Sequence, residues 1–130
     1  MRSEDKTAVL LIRESPGRAP DPSRMRELFG LAQAAGYRVL AEISQRRSRD
    51  HLFQIGRGKI EEALSYHPYR LIFYNPLSPG QVYNIQSQFG VRVLDRFNLI
   101  LEIFSSRAST REAKLQVELA RLSYDAPQVR

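Results

Sequence analysis

The sequence predicts an α/β domain: a mostly parallel sheet of four to five strands flanked by helices, followed by a C-terminal helix. Three observations carry that expectation. Short apolar runs alternate with segments of helical period along the chain. The connections are short, so most crossovers must pass through a helix, which makes neighbouring strands parallel. No internal repeat or low-complexity segment breaks the alternation, and 130 residues at 42% hydrophobic content suffice for one real core.

Thr7–Arg13, TAVLLIR, reads as a buried strand, and the ESPGRAP that follows, with two prolines and a glycine, reads as a loop. Asp21-Pro22 has the form of a helix N-cap followed by proline in the first turn. From Ser23 the apolar residues Met25, Leu28, Phe29, Leu31 and Ala32 recur at helical spacing, with Gly36 as the stop. Tyr37–Ser44 reads as a second strand. Leu52–Ile55 reads as a short third strand, either an edge strand or a hairpin arm, and Lys59–Leu64 opens a helix. Leu71–Tyr74, LIFY, is a further buried strand. Ser78-Pro-Gly-Gln81 is a capping-box pattern opening a helix that ends at Gly90. Val91–Leu94 is the last strand. Phe97, Ile100, Leu101 and Phe104 follow at i, i+3, i+4 and i+7, the stripe of an amphipathic helix. Ser109-Thr-Arg-Glu112 is a second capping box, opening a final helix to about Tyr124. The domain organisation expected is an α/β domain over 1–106 and a helical segment over 107–130.

Composition removes several function classes. No apolar run approaches the roughly 20 residues needed to span a bilayer. The apolar run in MRSEDKTAVLLIRESP is cut off by Arg13 and Glu14, unlike a secretory signal. Cysteine is absent, so no disulfide framework or thiolate metal site exists. His51 and His67 stand apart without metal-ligand spacing. These features point to the cytoplasm. Lys+Arg total 20 against 14 Asp+Glu, a net charge of +6. The excess is local. Arg46, Arg47, Arg49, Arg57 and Lys59 face a single anion, Asp50, within residues 46–59: 5 − 1 = +4. Such a block suits a polyanion such as RNA, although a solvated loop whose charge only aids solubility has the same composition.

Within that block, Gly56-Arg57-Gly58-Lys59 invites comparison with phosphate-binding loops. Lys59 is followed by Ile60 rather than Ser or Thr, and Gln54 stands where a P-loop has its first glycine. Glu61 occupies the third-glycine position of a dinucleotide fingerprint. What remains is a twin-glycine turn into a helix N-terminus, able either to hold an anion through Gly56, Gly58 and Lys59 or simply to turn the chain. No nucleophile triad or carboxylate metal cluster can be assembled, so no catalytic residue and no metal ligand is assigned. In the last helix Leu115, Leu119 and Leu122 form one apolar row, and Ala113, Val117, Ala120 and Tyr124 form another. Two rows imply burial on more than one side, by a second helix, by a groove of its own domain or by another copy of the chain.

IGRGKIEE, NPLSPGQVYNIQ and VLDRFNLILEIFSSRASTREAKLQVELARLSY, taken in order, closely resemble the N-terminal domain of the HflX family of ribosome-associated GTPases. The resemblance spans roughly Val39–Tyr124. It is most specific at Asp95-Arg96, Ile103-Phe104, Arg107-Ala108, Gln116-Val-Glu-Leu-Ala120 and Tyr124. It implies an α/β domain, then a helical hairpin whose first arm is the final helix here, then a GTP-binding domain carrying GTP and magnesium that this chain lacks. It also implies binding to the large ribosomal subunit and its rRNA, and a part in splitting or rescuing stalled ribosomes. Arg46, Arg47, Arg49, Arg57 and Lys59 would then contact RNA phosphates. Some members are said to bind adenine nucleotides, so a small ATP-binding domain or weak ATPase at Gly56–Lys59 is an alternative. A regulatory domain restraining the GTPase is another. Two positions depart from the family pattern: Asp125-Ala-Pro-Gln-Val replaces a more usual Pro-Arg-Leu, and Phe97 replaces a small hydroxyl residue.

Overall fold

The computed structural model describes residues 6–107 and 111–125. Four strands form one fully parallel sheet: β1 (Thr7–Glu14), β2 (Arg38–Arg46), β3 (Arg70–Phe73) and β4 (Arg92–Asp95). Their spatial order is β2-β1-β3-β4. Helices α1 (Pro22–Ala34), α2 (Arg57–Leu64) and α3 (Pro79–Phe89) make the crossovers, and α4 (Arg96–Arg107) and α5 (Arg111–Asp125) follow β4. The chain steps from β1 outward to β2, then returns past β1 to β3. The strand order therefore reverses between β1 and β3, the point at which open α/β sheets leave a crevice at their carboxyl edge.

The sheet is buried on both faces, which is why β1 reads as an unbroken apolar run rather than an alternation. Val9, Leu11, Leu71, Phe73 and Val93 pack beneath Ile60 and Ala63 of α2 and Ile85 of α3. Ala8, Leu10, Ile12 and Ile72 pack beneath Leu28 and Ala32 of α1 and Leu99 of α4. Local chemistry sets the helix ends. Asp21 accepts the Ser23 N–H at 3.0 Å at the start of α1. The Ser78–Gln81 capping box forms in full, with bonds of 3.0 and 3.1 Å. Gly90 ends α3 with φ 66°, a left-handed conformation that favours glycine.

Four expectations are corrected or fall outside the described residues. Leu52–Ile55 is a turn, not a strand. Asp50 Oδ1 accepts the N–H of Leu52 and of Phe53, at 2.9 and 2.8 Å, and Gln54 has φ 69°. A single antiparallel bridge, Asp50 to Gln54, closes the turn, so the buried side chains Phe53 and Ile55 are loop residues. On α4 the buried residues are Leu99, Leu101 and Ile103, whereas Phe104 is 57% exposed. A single stripe fails there because α4 touches β3, β4, α1 and α5, neighbours on more than one side. The Ser109–Glu112 capping box lies outside the described residues. On α5 the row Leu115, Leu119 and Leu122 is exposed, where the two apolar rows read in the sequence implied burial.

Candidate nucleic-acid interface

Position in the topology brings the basic residues to the carboxyl edge of the sheet. Arg46 is the last residue of β2, Arg47 and Arg49 lie in the loop after it, and Arg57 and Lys59 form the first turn of α2. The five do not form one uniform surface. Strand alternation turns Arg46 towards the α1 side, where its guanidinium donates to the Pro16 carbonyl at 2.9 Å. Arg47 lies beside the Gly56 turn and reaches Asp50 at 3.7 Å. Arg57 pairs with Glu61 at 3.6 Å and lies over the Phe89 ring, 5.3 Å from its centroid. Lys59 pairs with Glu62 at 3.4 Å. These i,i+3 and i,i+4 pairs are solvent-facing and weak, but they reduce the net charge offered by the α2 end. Arg46 and Arg49 have no carboxylate within 4 Å among the described residues.

The structure adds a cation that charge counting along the chain missed. Arg13, near the end of central strand β1, lies at the strand-order reversal. Its Nε donates to Gln54 Oε1 at 2.6 Å and its Nη1 to the Arg47 carbonyl at 3.0 Å. Burial, then Arg49, then Arg47 hold its pKa below the ordinary guanidinium value. Arg47 and Arg49 are thus like-charge neighbours that add to the effect of burial on Arg13. Two amides fix the arrangement. Asn75 accepts the Arg13 N–H at 2.7 Å and donates to the Arg13 carbonyl at 2.9 Å, extending the β1–β3 pairing by one rung. Gln54, 3% exposed, also donates to the Pro76 carbonyl at 2.8 Å. Its positive φ is backbone strain sitting where the edge loops meet. The sequence signal for Arg13 was available: a lone cation closing an apolar strand sits at the sheet edge by necessity.

The two glycines of the turn differ in their surroundings. Gly56 has φ −63°, and its N–H donates to Gln45 Oε1 at 2.8 Å. A Cβ at Gly56 would stand 2.8 Å from that same oxygen and 3.3 Å from Arg47 Nη1. Gly56 is not held by a left-handed turn; a Cβ there would displace the ends of the Gln45 and Arg47 side chains, and its amide is already engaged. Gly58 has open space around it.

Asp95, buried at the end of β4, accepts the Leu77 N–H at 3.0 Å and the Asn98 backbone N–H at 3.0 Å. It thereby caps α4 and holds the loop after β3. Its neighbour Arg96 crosses to Glu27 of α1. The Asp95-Arg96 pair singled out in the sequence is thus a brace for the carboxyl edge.

An open, doubly wound α/β domain with arginines crowded at its carboxyl edge is the class these observations define. Comparison with known proteins gives its family. Residues 22–105 match the family described as GTP-binding GTPase N-terminal, and 107–130 match the GTP-binding GTPase middle region. GTPase HflX of Thermofilum pendens is 42% identical over 94% of this chain and 30% of its own length. GTPase HflX of Thermococcus kodakarensis is 40% identical over 95% of this chain and 28% of its own. Among solved structures, a GTP-binding protein from Sulfolobus solfataricus in complex with GDP superposes with a TM-score of 0.75. It is 32% identical, covering 92% of this chain and 36% of that one. The chain belongs to the HflX family of GTP-binding proteins and corresponds to the N-terminal part of its members. It spans about 30% of the length of these curated relatives.

Proposed function

We propose that this chain is the RNA-facing domain of an HflX-type GTPase. It binds large-subunit rRNA through phosphate contacts, in a protein that splits or rescues stalled ribosomes. The observation that carries the reading is the crowding of Arg13, Arg47 and Arg49 at the strand-order reversal, with Arg46 on the same edge. Arginines that repel one another in the free protein gain when phosphates arrive between them, and guanidinium groups can grip phosphate oxygens in pairs. Arg57 and Lys59 contribute less, because Glu61 and Glu62 compete for them, as Asp50 does for Arg47. The adenine-nucleotide reading of Gly56, Gly58 and Lys59 is weakened by the engaged Gly56 amide. The test is sedimentation with large ribosomal subunits across a salt series. Arg46, Arg47 and Arg49 changed together to Ala should weaken binding and flatten the log–log salt dependence by roughly 2 to 3. Unchanged sedimentation in that variant removes the reading. Mixing this chain with the separate GTP-binding part and following GTP turnover tests the regulatory alternative; a slowed turnover supports it.

A further inference from the structure

Arg13 is the charged end of an otherwise apolar row. Val9 and Leu11 face the core beneath α2 and α3, and strand alternation puts the Arg13 side chain on that same face. Its guanidinium is held by neutral acceptors. Nε donates to Gln54 Oε1 at 2.6 Å and Nη1 to the Arg47 carbonyl at 3.0 Å. Asp50, the acidic residue of the adjoining turn, is engaged elsewhere: Oδ1 accepts the Leu52 and Phe53 N–H groups, and Oδ2 lies 3.7 Å from Arg47. Arg13 Nη2 makes no hydrogen bond among the described residues. Arg70 Nε is the one buried side-chain polar atom left unbonded among them, so Arg13 Nη2 is open to solvent.

Gln54 is what fixes this group. It is buried, and its φ of 69° is strained for a residue with a side chain. The two ends of its amide are not interchangeable. The Pro76 carbonyl, 2.8 Å away, takes the donor, and Arg13 Nε takes the acceptor. A carboxylate in that place would offset the arginine's charge; an amide orients the guanidinium and leaves its charge whole. We propose that Gln54 is a positioning residue that aims the Nη2 side of Arg13 outward as a phosphate contact. The proposal rests on the RNA-binding reading and deepens it, adding to the loop arginines a cation from the central strand that is oriented before the ligand arrives.

Sedimentation with large ribosomal subunits across a salt series tests it, with thermal midpoints measured alongside. Arg13→Gln should weaken binding about fivefold at moderate salt and flatten the log–log slope by roughly 0.7 to 0.9. Gln54→Met leaves every charge in place, yet should flatten the slope by the same amount. Added to Arg13→Gln it should weaken binding no further. A merely structural Gln54 would lower the midpoint and leave the slope of the folded variant unchanged, which overturns the proposal. So does an unchanged slope in Arg13→Gln, with the loop arginines left standing. Should Gln54→Met not fold, proton exchange in the unaltered chain decides: a slowly exchanging Arg13 Nε–H supports the fixed bond, and fast exchange overturns it. Failure of the unaltered chain to bind the subunits overturns the RNA-binding reading itself.

Discussion

At the amino edge of the sheet, four polar side chains from distant parts of the chain close on one another. The Tyr37 hydroxyl donates to Glu102 Oε1 and Arg70 Nη1 donates to Glu102 Oε2, each at 2.9 Å. Lys6 donates to the Ala35 carbonyl at 2.7 Å, lies 3.9 Å from Glu102 and sits over the Tyr37 ring. Burial depresses the Arg70 pKa, but Tyr37 and Glu102 beside it more than reverse the effect. At the carboxyl edge the pattern inverts. Arg13, Arg47 and Arg49 repel one another, Gln54 is strained, and Arg46 and Arg49 have no carboxylate within 4 Å among the described residues. Opposite charges gathered around one carboxylate serve cohesion. At the carboxyl edge like charges are instead held close by amides, with Asp50 3.7 Å from Arg47. The sheet is the same, and the difference lies in how each edge balances its charge.

The largest expected effect breaks the amino edge. Glu102→Ala leaves Arg70, 17% exposed, without its anion, and should lower unfolding free energy by about 3 kcal/mol in a urea titration. RNA affinity should persist wherever the variant remains folded; a parallel loss of affinity in folded protein would show that the edges are coupled. Next comes Tyr37. Burial first, then the bond to Glu102, hold its pKa well above the ordinary tyrosine value. The folded pKa is raised, so the contribution is complete below pH about 10, where unfolded tyrosine titrates, and drains away as pH rises beyond it. Tyr37→Phe should cost about 1 kcal/mol at neutral pH and remove that alkaline decline, as read from denaturation midpoints between pH 8 and 11.

The carboxyl edge should answer in the opposite sense. Arg49→Ala should weaken RNA binding yet hold or slightly raise the thermal midpoint, because it relieves repulsion at Arg13; a clear drop in midpoint would make Arg49 structural. The smallest effect is at α2. Glu61→Gln frees Arg57 from an exposed pair and should change stability by less than about 0.5 kcal/mol. A slight rise in RNA affinity would sharpen the view that these carboxylates restrain the cations of that turn.

The alternation of apolar runs and helical segments, the Asp21 and Ser78 caps and the Gly90 stop were all legible in the sequence, because each depends on residues within a few positions of one another. The Leu52–Ile55 segment misled because a short apolar run has no period of its own, and an aspartate two residues earlier turned it. The basic block was legible as composition, but its division was not. Whether Arg57 faces a phosphate or Glu61 depends on which side of a helix turn it occupies.

The chain by itself determined a parallel α/β sheet, the capped helices and a surplus of arginine between residues 46 and 59, since these follow from local pattern and charge. Tertiary structure alone decided that Arg13 joins Arg47 and Arg49, and that Asn75 and Gln54 hold them. Those groups lie up to dozens of residues apart, and the parallel sheet, with β1 and β3 as neighbours, brings their loops to one edge.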